Sequence, residues 1–130
     1  MIKQKLPLLA ALAFIVFLIG VIVIADRGEG NAWWAFLDRI PYGDKAGHLG
    51  LIGTLSLLCN LAFRPQPPGF LPRWITLTTL VLFLVLSLEE VAQAFIPTRT
   101  CDFYDWLADL AGLAAGQVLA GQLRVWLAVR

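Results

Sequence analysis

Long apolar runs alternate with short polar connections along the whole chain. Four runs, at 6–25, 46–63, 75–95 and 106–129, take up most of its 130 residues. Each is close to the roughly 20 residues an α-helix needs to cross a hydrocarbon core about 30 Å thick. The pattern predicts an all-α fold: an integral membrane four-helix bundle forming one transmembrane domain over 1–130. Segment 64–74 carries Pro65, Pro67, Pro68 and Pro72, so it should be a stiff, non-helical link between the second and third runs. Segment 96–105 turns through Pro97, and 26–45 is the longest connection, with Trp33 and Trp34 in it.

Composition narrows the picture further. The chain is 59% hydrophobic and 15% charged, with a mean hydropathy of +0.77, more apolar than a soluble domain of this size can bury. A net charge of +1 without a basic stripe excludes nucleic acid as a partner. Cys59 and Cys101 stand alone in different kinds of segment, so neither a disulfide framework nor a metal spacing is present. Lys3 and Lys5 before an apolar run, with Val23 and Ala25 ahead of Asp26, resemble a secretory signal. A signal's apolar core is usually about 7–15 residues, however, and this longer run is expected to be retained as a span.

Cationic residues give the orientation, because they stay on the cytoplasmic side of short loops. With both termini cytoplasmic, Lys3, Lys5, Arg64, Arg73, Arg124 and Arg130 lie inside, against Arg27, Arg39, Lys45 and Arg99 outside. The acidic residues then all fall at the outer end. Trp33, Trp34, Tyr42, Tyr104 and Trp106 would form one aromatic belt, with Trp74 and Trp126 in the other.

Three stretches meet at that outer face: Asp44, Lys45 and His48; Glu90 and Gln93; and Arg99 through Asp105 to Asp109. At about 1.5 Å per helical residue, His48, Glu90 and Asp109 each lie roughly 5–8 Å below the boundary. Helical spacing pairs Asp44 with His48, Asp105 with Asp109, and Glu90 with Gln93. Charges inside a bilayer cost roughly 2.5–3.5 kcal/mol each at its centre, so these groups should face one another. Glu89 points about 100° away from Glu90 and is expected to reach for the interface. Asp26, Glu29 and Asp38 read as solvated loop acids, and Cys59 as a small buried apolar residue. Gly112 and Gly116 continue the Asp105–Asp109 face and let a neighbouring helix approach closely.

Taken in order, these residues resemble the VanZ-like family of small bacterial membrane proteins. Its pattern reads D-K-x-x-H, then E-x-x-Q-x-F-x-P-x-R, then D-x-x-x-(N or D)-x-x-G-x-x-x-G. Here it is Asp44, Lys45, His48; Glu90, Gln93, Phe95, Pro97, Arg99; and Asp105, Asp109, Gly112, Gly116. Ile52 stands where the family often has tyrosine, and Asp102 where serine is common, adding a negative charge beside Arg99. The resemblance implies a multi-pass protein of the bacterial cytoplasmic membrane. The namesake activity is low-level resistance to the glycopeptide teicoplanin, and the family has no established mechanism.

Three functions compete. In the first, Lys45, His48 and Arg99 meet an anionic headgroup of an envelope lipid or lipid-linked precursor, oriented by Glu90, Gln93, Asp105 and Asp109; a planar guanidinium suits phosphate. In the second, His48 and the carboxylates would hold a hard or borderline cation that activates water against a lipid phosphate or amide. His48 is the only histidine, no HExxH motif is present, and no histidine stands in fixed relation to a serine or cysteine nucleophile. In the third, the cluster is an ion-pair lock in a scaffold protein. No cofactor is called for, and with one imidazole and otherwise carboxylates no resident metal is expected.

Overall fold

The computed structural model describes residues 2–29, 35–37, 39–63, 69–70, 72 and 74–129, with side chains from Lys5 onward. The expectations for Lys3, Trp33, Trp34, Asp38, Arg64, Pro65, Pro67, Pro68, Arg73 and Arg130 lie outside the described structure. Four long helices carry the fold among these residues: α1 (Ile2–Asp26), α2 (Gly43–Ala62), α3 (Leu77–Gln93) and α4 (Phe103–Val129).

The helix ends differ from the apolar runs by at most four residues, and those of α2, α3 and α4 have local reasons. Helix α2 starts before its run at Tyr42, which takes the left-handed conformation (φ 59°). Gly43 follows because a methyl there would collide with the Leu37 carbonyl oxygen. Helix α3 starts at Thr76, whose hydroxyl accepts from the Thr79 backbone N–H. It stops short of Pro97, which cannot continue a helix. Helix α4 begins three residues before its run because the Asp102 carboxylate accepts from the Tyr104 N–H at 2.8 Å, a side-chain cap that satisfies one of the orphan donors of the first turn.

The central pair is α2 with α4; α1 packs on α2, and α3 rests on α4 and more lightly on α2. Gly112 and Gly116 create the close approach. A methyl on Gly112 would come within 2.8 Å of the Leu49 carbonyl oxygen and 2.9 Å of the Gly53 nitrogen. One on Gly116 would sit 2.7 Å from the Leu57 nitrogen and overlap the Gly53 carbonyl. The backbones of α1 and α3 do not pack together. They are joined at one end, where Thr98 Oγ1 donates to the Asp26 carbonyl at 2.5 Å and Arg99 donates to Asp26 Oδ1 at 3.4 Å.

Polarity is distributed inside out. The buried apolar residues are mostly small or aliphatic (Ala11, Leu18, Ile52, Leu55, Cys59, Leu113, Ala120), and they share the interior with Ser56, Asn60, Thr78, Glu90, Gln93 and Asp109. The outer faces carry Leu6, Val16 and Phe17 on α1, Val85 and Leu88 on α3, and Val125 and Leu127 on α4, all more than half exposed. By length and composition, one helix among the described residues is long and apolar enough to cross a membrane: Lys5–Asp26, with mean hydropathy 3.2 and 11% of its best window buried. Helix α3, at 17 residues, spans about 26 Å at 1.5 Å per residue, while α2 and α4 are diluted by the polar groups they bury.

Candidate functional site

The N-terminal ends of α2 and α4 and the C-terminal end of α3 converge on one ionic cluster. Lys45 Nζ donates to Asp44 Oδ2 at 2.7 Å, Asp102 Oδ2 at 2.9 Å and Asp105 Oδ1 at 2.9 Å. The ammonium thus sits among three carboxylates whose oxygens lie within 4.8 Å of one another, close enough to hold a cation. Its neighbour His48 uses Nδ1 toward Asp109 Oδ1 at 2.9 Å, and its Nε2 stands 3.8 Å from Asp105 Oδ2. Lys45 and His48 lie three apart on one face of α2, and Asp105 and Asp109 four apart on α4. The two helices therefore present matching charges along their shared seam.

Glu90 is 5% exposed; its Oε1 accepts from the Asp102 backbone N–H at 2.8 Å, and its Oε2 has no hydrogen-bond partner among the described residues. Gln93 is also buried, but it donates to Glu89 Oε2 at 2.8 Å, one turn back, and not to Glu90. Arg99 does not reach Glu90 or Asp105. Its guanidinium faces Asp26 Oδ1 at 3.4 Å and Glu89 Oε1 at 3.9 Å. Asp102 is correspondingly not Arg99's neighbour: it pairs with Lys45 and caps α4. Asp44 likewise pairs with Lys45, and His48 takes its partners from α4. The expected free cations are therefore each engaged by carboxylates.

Two groups of residues escaped the sequence reading. Glu89 and Asp26, read as interfacial and solvated, close the cluster through Arg99. A second polar knot ties α2, α3 and α4 together. Thr76 Oγ1 donates to Asn60 Oδ1 at 2.6 Å, Asn60 Nδ2 donates to Thr79 Oγ1 at 3.0 Å, and Ser56 Oγ donates to the Leu113 carbonyl at 2.8 Å. Gln117 joins it, with Nε2 donating to the Trp74 carbonyl at 2.6 Å. Asn60 and Gln117 inside apolar runs were the available signal, since such groups rarely lie in a span without a partner.

Between α1 and α3, above α2, lies a cavity of about 750 Å³. Its apolar part is walled by Ile15, Leu18 and Ile22 of α1 and by Leu82 and Leu86 of α3; His48, Glu89, Arg99, Asp105 and Asp109 line its polar part. The volume is in the range that holds a small-molecule ligand, roughly 300–1,000 Å³. Ile52 packs beside it in the apolar core.

The ammonium's hydrogen bonds hold the Asp44 and Asp102 carboxyls below the usual carboxylate range. Those to Asp105, Asp44 and Asp102 push Lys45 well above its ordinary value. Depressed carboxyls stabilise the fold above their unfolded pKa, about 3.9, and lose that contribution as pH falls through their folded values; raised Lys45 contributes fully below about 10.4 and loses it above. The thermal midpoint should therefore be flat from this lock between about pH 5 and 9.5 and fall below about pH 4. In Lys45→Met the repelling carboxylates gain stability by taking up protons, so acidification from pH 7 to 4.5 should raise that variant's midpoint relative to the parent's, as measured by thermal unfolding in detergent.

No protein-family model, curated protein or solved structure matches the chain.

Proposed function

We propose that this chain is a multi-pass membrane protein whose cavity binds a phosphate-bearing envelope lipid or lipid-linked precursor, headgroup at the ionic cluster and hydrocarbon chain between α1 and α3. The carrying observation is the cavity itself, apolar where α1 and α3 stand apart and charged where Arg99 and His48 line it. The inside-out distribution of polarity supports lipid as the surrounding medium. Burial of Ala11 and Leu18 of α1 against the core supports retention of that helix as a span. The VanZ-like resemblance supports a role in envelope maintenance or glycopeptide tolerance at the bacterial cytoplasmic membrane.

Topology is checked with the two cysteines. Cys101 is exposed and Cys59 buried, so an impermeant maleimide should label Cys101 in intact cells and spare Cys59. Labelling of Cys101 only after permeabilisation would invert the orientation. Ligand binding is checked with Leu18→Trp, which fills the apolar part of the cavity. Gently solubilised parent protein should retain a stoichiometric phospholipid, and the variant should lose at least four-fifths of it while accumulating normally. Equal lipid content in both would remove the cavity from the function.

A second reading is favoured by His48 and Asp109. In the neutral tautomer that donates Nδ1–H to Asp109, Nε2 of His48 would be its acceptor nitrogen, the arrangement of a general base. It would serve a headgroup hydrolase drawing a proton from water. Phosphate or headgroup release from added phospholipid, abolished by His48→Gln, is the result that promotes it over binding.

A further inference from the structure

The cavity between α1 and α3 is covered at one end and open along its side. Ile15, Ile19 and Ile22 recur at i, i+4 and i+7 and turn one apolar stripe of α1 into it, and Leu82, Val85 and Leu86 present the matching stripe of α3. Stripes of this kind normally close on each other, with helix axes about 8–10 Å apart. These do not: among the described residues no Cα atom of α1 comes within 8 Å of one in α3. Residues 15 to 22 rise about 10 Å at 1.5 Å per helical residue, the height of the slot between the stripes. Two of its wall residues, Ile19 and Val85, are nevertheless 55% and 57% exposed. The slot is therefore reached from the flank of the bundle, and its wall runs on into the exposed Val16 and Leu88 of the outer faces.

The polar end is covered by loops. Gly28, Glu29, Thr98 and Thr100 line it, and a methyl on Gly28 would lie 3.1 Å from Thr98 Cγ2, so the segment after α1 already touches the loop after α3. Thr98 is bonded to the Asp26 carbonyl, and Arg99 stands between Asp26 of α1 and Glu89 of α3. Resting on the lipid-binding reading, we infer that the open seam between α1 and α3 is the lateral entrance of the cavity. A phospholipid passes sideways between the two helices, its chain along the stripes and its headgroup beneath the Asp26–Thr98–Arg99 clasp, which caps the cavity against entry from the aqueous side. Passage along the seam separates no packed backbone and keeps apolar side chains against hydrocarbon throughout. Passage through the cap would part the clasp and draw the chain across charged groups.

The test uses purified full-length protein with Cys59→Ala and Cys101→Ser in maltoside micelles, loaded with phosphatidylglycerol and chased with its deuterated form. Native mass spectrometry reads the rate of exchange. Two cysteine pairs are added separately: Ile19→Cys with Val85→Cys across the seam, and Glu29→Cys with Thr100→Cys across the cap. The seam is too wide for a direct disulfide, which needs Cα atoms within about 7 Å. Both pairs are therefore joined by a flexible alkyl bis-methanethiosulfonate, and the linked species is identified by its mass. Each linked protein is compared with the same protein after reduction, so effects of the substitutions themselves cancel. The expected result is exchange slowed at least tenfold by the seam link, restored by the reductant, and changed less than twofold by the cap link. The opposite pattern overturns the inference in favour of entry from the aqueous side, and equal effects of the two links, whether slowing or none, overturn it too. The two readings fail separately. Parent protein that retains no phosphatidylglycerol removes both, whereas retained lipid whose exchange ignores the seam link removes the entrance alone.

Discussion

Gly116→Val is expected to abolish the native pairing of α2 with α4. The added branches would enter the Gly53 carbonyl oxygen, the Leu57 backbone nitrogen and Ser56 Cβ, none of which is the far end of a flexible side chain. Overpacking usually costs about 1–3 kcal/mol, and against backbone we expect about 3 kcal/mol or more, a large share of the roughly 5–15 kcal/mol that keeps a domain folded. Gly121→Val, on the same helix but with nothing within 4 Å of the new carbon, supplies the control. Denaturant titration in micelles should separate the two sharply; a Gly116→Val variant as stable as Gly121→Val would mean that α2 and α4 are not in contact.

The second large effect is expected at Asp109. This residue is 4% exposed and is the direct partner of His48, whose side chain is 29% exposed. Asp109→Leu leaves the imidazole without an acceptor. Removing one partner of a fully buried ion pair costs about 3–5 kcal/mol; partial exposure of the ring scales this to about 2 kcal/mol. Asp109→Asn keeps an acceptor oxygen and should cost less than half as much. A His48→Phe, Asp109→Leu double variant should recover at least half of the single variant's loss, read as the coupling in a double-mutant cycle. Strict additivity would deny the pairing.

These expectations also mark how far the sequence carries. The four helices were legible because an apolar run of about 20 residues has few other uses. Depth alone brought His48 and Asp109 to one level, and they do meet. Partner choice was not legible. Helical spacing says that Asp44 and His48 share a face, but not that α4 brings Asp109 to His48 and Asp105 to Lys45, which Asp44 also holds. Glu89 was assigned outward because it lies about 100° from Glu90; the loop after α3 returns Arg99 to it and gives it an inward role. The Asn60, Thr76 and Gln117 knot has no local spacing at all, since its members come from three segments and become neighbours only when the helices pack.

The dependence of α2 on α4 has a consequence for biosynthesis. The hydrogen bonds joining Lys45 and His48 to Asp105 and Asp109 span 60 and 61 residues. The helix that supplies the acids follows the other three in the chain. While α1, α2 and α3 have left the ribosome and α4 has not, Lys45, His48 and Ser56 have no native partners on α4. Gly53 then lacks the Gly112 backbone it packs against. A chain halted in this interval lacks the close α2–α4 packing and these polar contacts, and it acquires them only with the Asp105–Gly116 stretch. Stop codons placed just before and just after that stretch should therefore yield products that differ in lifetime far more than their few residues of length would suggest.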